Sequence, residues 1–154
     1  MSIIVLLETT EEGLRKVSKE VLSEGRRVAN QIQTDLIATV LGMDVNKQVD
    51  DVRSFGADTI FLVDEERLNL YQAELYIHVL GDLIRKQSPN LVMMGHTAMG
   101  RDLAPQLAEL FGAYLVSDCV AIEIKDKQYH YIRPYYAGKV LAKITINTSI
   151  HFVT

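Results

Sequence analysis

"NLVMMGHTAMGRDLAPQLAEL", residues 90–110, decides how this chain is read. The segment "NLVMMG" (90–95) is short and apolar, the pattern of a strand buried on both faces. Leu103, Leu107 and Leu110 then recur at helical spacing, which predicts a helix over 101–111. Between them lies a loop bracketed by Gly95 and Gly100. Strand, glycine-bracketed loop and helix make up half of a parallel α/β unit. The helix N-terminus in such a unit offers free N–H groups and partial positive charge.

The same alternation runs upstream. "SIIVLLE" (2–8) is a continuous β-branched run that predicts a buried strand. Leu14, Val17, Val21, Val28 and Ile32 follow at helical spacing, with Gly25 on their face where the helix can approach a sheet closely. "DLIATVLG" (35–42) predicts a second strand, "NKQVDDVRSFGAD" (46–58) a shorter helix closed by Gly56, and "TIFLVD" (59–64) a third strand. A long helix is predicted over 70–87, stopped by Ser88-Pro89 because the residue before proline avoids the helical region. "AYLVSD" (113–118) gives a fifth strand. Strands alternating with helices imply right-handed crossovers and a mostly parallel sheet. The pattern changes over 120–146, where Val120, Ile122 and Ile124, then Val140, Ala142, Ile144 and Ile146, alternate around turn signals at "KDKQ" and "AGK". Antiparallel strands appended to the parallel core are expected there, with Arg133-Pro134 at an edge or bulge. The expected fold is an α/β three-layer sandwich.

Composition bounds the chemistry. The chain has 154 residues, enough for one domain with a proper core. Its formal net charge of −4 leaves no cationic surplus to displace counterions, so nucleic acid is not an expected partner. A single cysteine, Cys119, forbids an internal disulfide and any metal site built from several thiolates; with Asp118 beside it and no cation near in sequence, it reads as an inert thiol. Apolar runs as short as "IIVLL" and "LVMM" do not approach a membrane span, and no signal-peptide pattern opens the chain. Cytoplasm, or an organelle matrix after loss of a transit peptide, is the expected location.

Within the loop, Gly95 and Gly100 would let backbone approach an anion, Thr97 offers a hydroxyl, Arg101 a fixed positive charge, and His96 a titratable ring. The spacing matches neither the dinucleotide fingerprint nor the P-loop, and Asp102 in the first helical turn would repel a phosphate. Two readings stay open from spacing: a phosphate cradle formed by Gly95, His96, Thr97, Gly100 and Arg101, or a tight structural turn with Arg101 and Asp102 paired to neighbouring elements. His78, His96, His130 and His151 show no ligand spacing, so no metal site is expected. No set of residues reads as a catalytic apparatus. The tyrosines at 129, 131, 135 and 136 read as a packing surface, internal or toward a partner.

Four stretches together resemble one family: "EVLSEGRRVANQ" (20–31), "FGADTIFLVD" (55–64), the segment from Gly95 to Glu123, and "YIRPYYAGKVLAKI" (131–144). In order and extent they are similar to the N-terminal domain of the electron-transfer flavoprotein alpha subunit. The most specific pieces are the run Gly100 to Pro105, Ser117-Asp118, and the run Arg133 to Gly138.

The resemblance implies a fold of the adenine-nucleotide-binding type that includes the universal stress proteins. It implies a heterodimer with an electron-transfer flavoprotein beta subunit, carrying electrons from a dehydrogenase toward a quinone reductase or another acceptor, with no membrane insertion. In that family FAD is held mainly by a separate C-terminal domain. Residues 1–154 would then be the N-terminal scaffold domain, without that FAD domain and binding no cofactor alone. The Gly95–Arg101 anion site would be vestigial. Lys139 departs from the asparagine common after "YAG" in the family. A reading of another class is a stand-alone adenine-nucleotide-binding module resembling universal stress proteins.

Overall fold

Residues 2–154 are described in a computed structural model. The chain runs β1 (Ser2–Leu7), a small hairpin of β2 (Thr9–Thr10) and β3 (Gly13–Leu14), α1 (Lys16–Ile32) and β4 (Asp35–Gly42). A 3₁₀ turn at Val45–Gln48 leads into α2 (Val49–Ser54), then β5 (Thr59–Asp64), α3 (Ala73–Gln87), β6 (Leu91–Met94), α4 (Ala98–Leu110) and β7 (Tyr114–Val116). The remainder is β8 (Ala121–Lys125), β9 (Gln128–Tyr135), β10 (Val140–Ile144) and β11 (His151–Val153).

Six strands form a parallel sheet in the order β5-β4-β1-β6-β11-β7. Every residue of β1 is buried, as its unbroken apolar run requires. Alternate side chains of β1 serve opposite faces. Ile3, Val5 and Leu7 join Leu22, Val28 and Ala29 of α1 on one side. Ile4 and Leu6 join Leu80 and Ile84 of α3 and Leu103 and Leu107 of α4 on the other. The result is the expected three-layer α/β sandwich.

The antiparallel strands are present, but they hydrogen-bond to one another as a separate three-stranded sheet, β10-β9-β8, and do not extend the parallel one. Ile122, Tyr129 and Tyr131 of this small sheet pack into the α1-side core, so the sheet does there what a further helix would do. After β10 the chain returns to the parallel sheet, and β11 enters between β6 and β7. The α4 crossover therefore skips one strand position, which the last strand fills.

Three details differ from the periodicity reading. Leu14 belongs to β3, and the buried line of α1 is Ser18, Leu22, Gly25, Val28 and Ala29, with Val21 only partly buried. Gly25 holds the contact expected of it: a Cβ there would lie 2.8 Å from Val5 Cγ2 and 3.0 Å from Leu36 Cδ1. Helix α3 begins at Ala73 instead of residue 70. Helix α4 begins at Ala98, three residues before the predicted start, so Gly100 and Arg101 are helical.

Candidate functional site

Strand order reverses at β1, whose neighbours are β4 on one side and β6 on the other. In open α/β sheets the crevice at such a reversal, beyond the carboxyl ends of the strands, is where ligands bind. Here it is bounded by Glu8, directly after β1, and by Gly95 to Thr97, directly after β6.

The helix that opens this crevice is capped from within. Thr97 is the N-cap of α4, with extended backbone, and its Oγ1 accepts the Gly100 N–H at 3.1 Å. The same hydroxyl donates to Glu8 Oε1 at 2.5 Å. Arg15 donates to the other carboxylate oxygen, Oε2. Glu8 is 7% exposed, and its backbone is tied as tightly: its carbonyl accepts from Ser18 Oγ at 2.9 Å and from the Arg15 N–H at 3.0 Å. A buried carboxylate therefore stands at the positive end of α4, where a phosphate would otherwise be received. Hydrogen bonds to a charged group are worth about 1.5–3 kcal/mol each, so this cluster is a firm part of the structure.

The two loop glycines have an internal use. A Cβ on Gly100 would lie 2.0 Å from the carbonyl oxygen of Gly95, and one on Gly95 would lie 2.6 Å from Val17 Cγ2. Their missing side chains admit protein atoms. The buried strand end and the first turn of α4 are locked together through that approach.

The remaining candidates scatter. His96 is exposed, and its Nδ1 lies 2.9 Å from Thr154 Oγ1. Arg101 is exposed and has no side-chain partner among the described residues. Asp102 is paired, accepting the Tyr71 hydroxyl at 2.5 Å; burial, then this carboxylate, push the Tyr71 phenol well above its ordinary range. The structure thus brings Gly95, Thr97 and Gly100 together at the start of α4 with Thr97 on Glu8, whereas His96 pairs with Thr154 and Arg101 stands exposed. A phosphate group does not fit beside Thr97, because that hydroxyl already serves the Glu8 carboxylate and the approach at Gly100 is filled by the Gly95 carbonyl.

Glu8, Arg15 and Ser18 were not legible as site residues. The one signal was an acidic residue ending the "SIIVLLE" run, which is unusual enough to invite a partner. Cys119 is half-buried, and burial pushes its thiol up, in keeping with an inert role. Among the described residues no cluster of His, Cys, Asp or Glu has the makings of a metal site, and no helix is long and apolar enough to cross a membrane.

Known proteins bear on this geometry. The electron transfer flavoprotein subunit alpha of Bacillus subtilis (strain 168) is 30% identical over 152 residues, covering 99% of this chain and 46% of that protein. Protein FixB of Clostridium saccharobutylicum is 34% identical over 142 residues, covering 91% and 42%. The lactate dehydrogenase (NAD(+),ferredoxin) subunit LctC of Acetobacterium woodii is 31% identical over 154 residues, covering 99% and 37%. The chain thus spans less than half the length of these relatives. Residues 3–154 match the family described as electron transfer flavoprotein domain, and the chain belongs to that family.

Proposed function

We propose that this chain is the N-terminal domain of an electron transfer flavoprotein alpha subunit, acting as a scaffold and not as a cofactor site. It would pair with a beta subunit and support an FAD domain that lies outside this sequence. The whole protein would carry electrons between a dehydrogenase and an acceptor such as a quinone reductase. No side chain in this domain would turn over a substrate. A reducing compartment, cytoplasm or organelle matrix, suits a chain with one unpaired cysteine.

One observation carries the scaffold reading: the Glu8 carboxylate held by Thr97 and Arg15 at the N-terminus of α4. That cluster satisfies the helix end with the chain's own charge and makes the crevice repel phosphate. A universal-stress-protein-like nucleotide module would need the same crevice open. FAD, if carried by the parent, supplies reversible one- and two-electron chemistry elsewhere, and this domain's residues contribute packing and partner contacts.

Two measurements test the proposal. Titration of the chain with ATP and FAD, followed by backbone amide signals, is expected to leave residues 95–101 unmoved; saturable shifts there would overturn the scaffold reading. Mixing the chain with an electron transfer flavoprotein beta subunit from the same source is expected to give a one-to-one complex in analytical ultracentrifugation. Two unmixed species would count against the pairing.

A further inference from the structure

The six-stranded sheet ends at β5, whose one strand neighbour is β4. Every residue of β4 from Leu36 to Gly42 is buried, whereas no residue of β5 is fully buried. Ile60 and Leu62 border the α1-side core and Phe61 and Val63 the α3-side core, and all four stay partly exposed. Along the open side of β5, alternate N–H and C=O groups have no neighbouring strand to pair with.

The other edges of the two larger sheets are blunted. Strand β7 is three residues long. Strand β8 carries Glu123 and Lys125, and its Ile122 carbonyl accepts from Arg27. Strand β10 carries Lys143. Short length and charge of this kind keep an edge from pairing with another chain. Strand β5 has neither. From Thr59 to Val63 it holds no charge, proline or glycine, and its register with β4 runs unbroken from Thr59 to Asp64, with no bulge to twist the edge away.

We propose that β5 is a self-association edge: it pairs antiparallel with β5 of a second copy of this chain, joining the two parallel sheets into one. Two features name this occupant. Apolar rows reach the edge on both faces, so the added strand must itself be apolar on both faces; a strand with one polar face would set polar side chains against one row. The run "TIFLV" has that character. Charge then sets the direction. The carboxyl end of β5 runs into Asp64, Glu65 and Glu66. At the amino end Arg26 offsets Asp58 at 2.8 Å, and Arg53 lies on α2, which leads into the strand. Antiparallel pairing brings the acidic end of each copy to the arginine-bearing end of the other, whereas parallel pairing would lay acid on acid. A two-fold axis uses the same edge of both copies and closes the assembly at a pair. The edge shares no residue with the Gly95–Arg101 crevice or with the β9–β10 hairpin.

Two short strands pair over only about 20 Å, so the association is weak and is read against concentration. Sedimentation of the chain from micromolar to millimolar, with a thiol reductant present to keep Cys119 from cross-linking, is expected to show monomer giving way to dimer. In the isotope-labelled chain, the amide signals of Thr59 to Asp64 are expected to shift as concentration rises, and their exchange with solvent to slow. Leu62→Lys sets two ammonium groups near the two-fold axis and is expected to weaken dimerisation at least about tenfold. A thermal melt reports whether that variant keeps its fold; if it does not, the wild-type amide map decides. Monomer at every concentration, shifts centred on Tyr135, Tyr136 and Leu141, or undiminished dimerisation of a folded Leu62→Lys would each overturn the assignment. A chain that stays monomeric alone yet binds a beta subunit strikes this proposal and leaves the scaffold reading standing, so the two failures are distinguishable.

Discussion

The Thr97 hydroxyl donates to the Glu8 carboxylate at 2.5 Å, joining the end of β1 to the start of α4 across the point where strand order reverses. That bond, with Arg15 on the other oxygen, sets a carboxylate at the N-terminus of α4. Replacing Glu8 by Ala removes the charge-assisted bonds and exposes the helix end. A loss of about 2 kcal/mol follows, or about 4–8 °C in Tm for a chain of this size. The informative part is rescue. Inorganic phosphate or sulfate should raise the Tm of Glu8→Ala by mass action and leave the wild type unmoved. Equal responses of the two proteins would show that Glu8 does not occupy an anion position.

The glycine pair predicts a second, independent effect. At Gly100 an added Cβ meets the Gly95 carbonyl at 2.0 Å, and a backbone atom cannot swing aside as a flexible side chain can. Gly100→Ala must displace the start of α4 or the end of β6. Alanine is the better helix former, so propensity alone would stabilise this position by about 1 kcal/mol. The clash outweighs that gain, and a net loss of about 2–3 kcal/mol is expected. Chemical denaturation reads it directly. A stabilised Gly100→Ala would mean the loop relaxes freely and the close approach is not a constraint.

This pair also marks how far local sequence carries. Buried strands such as "SIIVLLE" and amphipathic α1 announce themselves through period, so the α/β class was legible. Gly100 was read as loop because glycine disfavours helices, whereas its place in the first turn of α4 is fixed by a contact with Gly95 that no local pattern encodes. The three residues of β11 are too few to show a period, and their place between β6 and β7 depends on pairing over long sequence distances. The candidate loop was recognised by its glycines. What occupies it, Glu8, stands 89 residues away from Thr97.

His151 gives a pH prediction. Its Nδ1 lies 2.6 Å from the hydroxyl of fully buried Tyr131, and its Nε2 lies 3.1 Å from the Thr148 carbonyl. Neutral imidazole satisfies both, accepting from the phenol and donating to the carbonyl. Burial lowers the pKa of His151 below the usual histidine value, with the Thr148 carbonyl opposing in part. The unfolded chain, titrating near about 6.5, therefore takes up the proton first as pH falls. The contribution of His151 is fully present above that pH and is lost as pH falls through the folded pKa. Its slope cannot exceed about 1.4 kcal/mol per pH unit for one proton. Between about pH 7 and pH 5, Tm should fall more steeply in the wild type than in His151→Asn, which cannot titrate there. Parallel curves would assign the acid sensitivity to other groups.

The last prediction concerns the β9–β10 hairpin, where the inner face of the small sheet outruns the core. Tyr131 is fully buried, but on the same face Tyr135 and, opposite it, Val140 are 40% and 50% exposed. The turn beyond holds Tyr136 and Ala137 at φ of 51° and 54°, before Gly138 at 83°, and leaves Tyr136 80% exposed. The Arg133 guanidinium stacks 4.7 Å from the Tyr135 ring centroid, which fixes that ring without covering its outer face. Exposed aromatics beside an arginine on a paired hairpin match the composition of binding hot spots. Tyr135→Ala together with Tyr136→Ala is therefore expected to weaken beta-subunit binding at least about tenfold while changing the Tm of the isolated chain little, because neither ring is buried within it. Surface plasmon resonance with immobilised beta subunit measures the first, and a thermal melt the second. Unchanged affinity in the double variant would place the subunit contact on another face. A large drop in Tm would instead make the arm part of the domain's own packing.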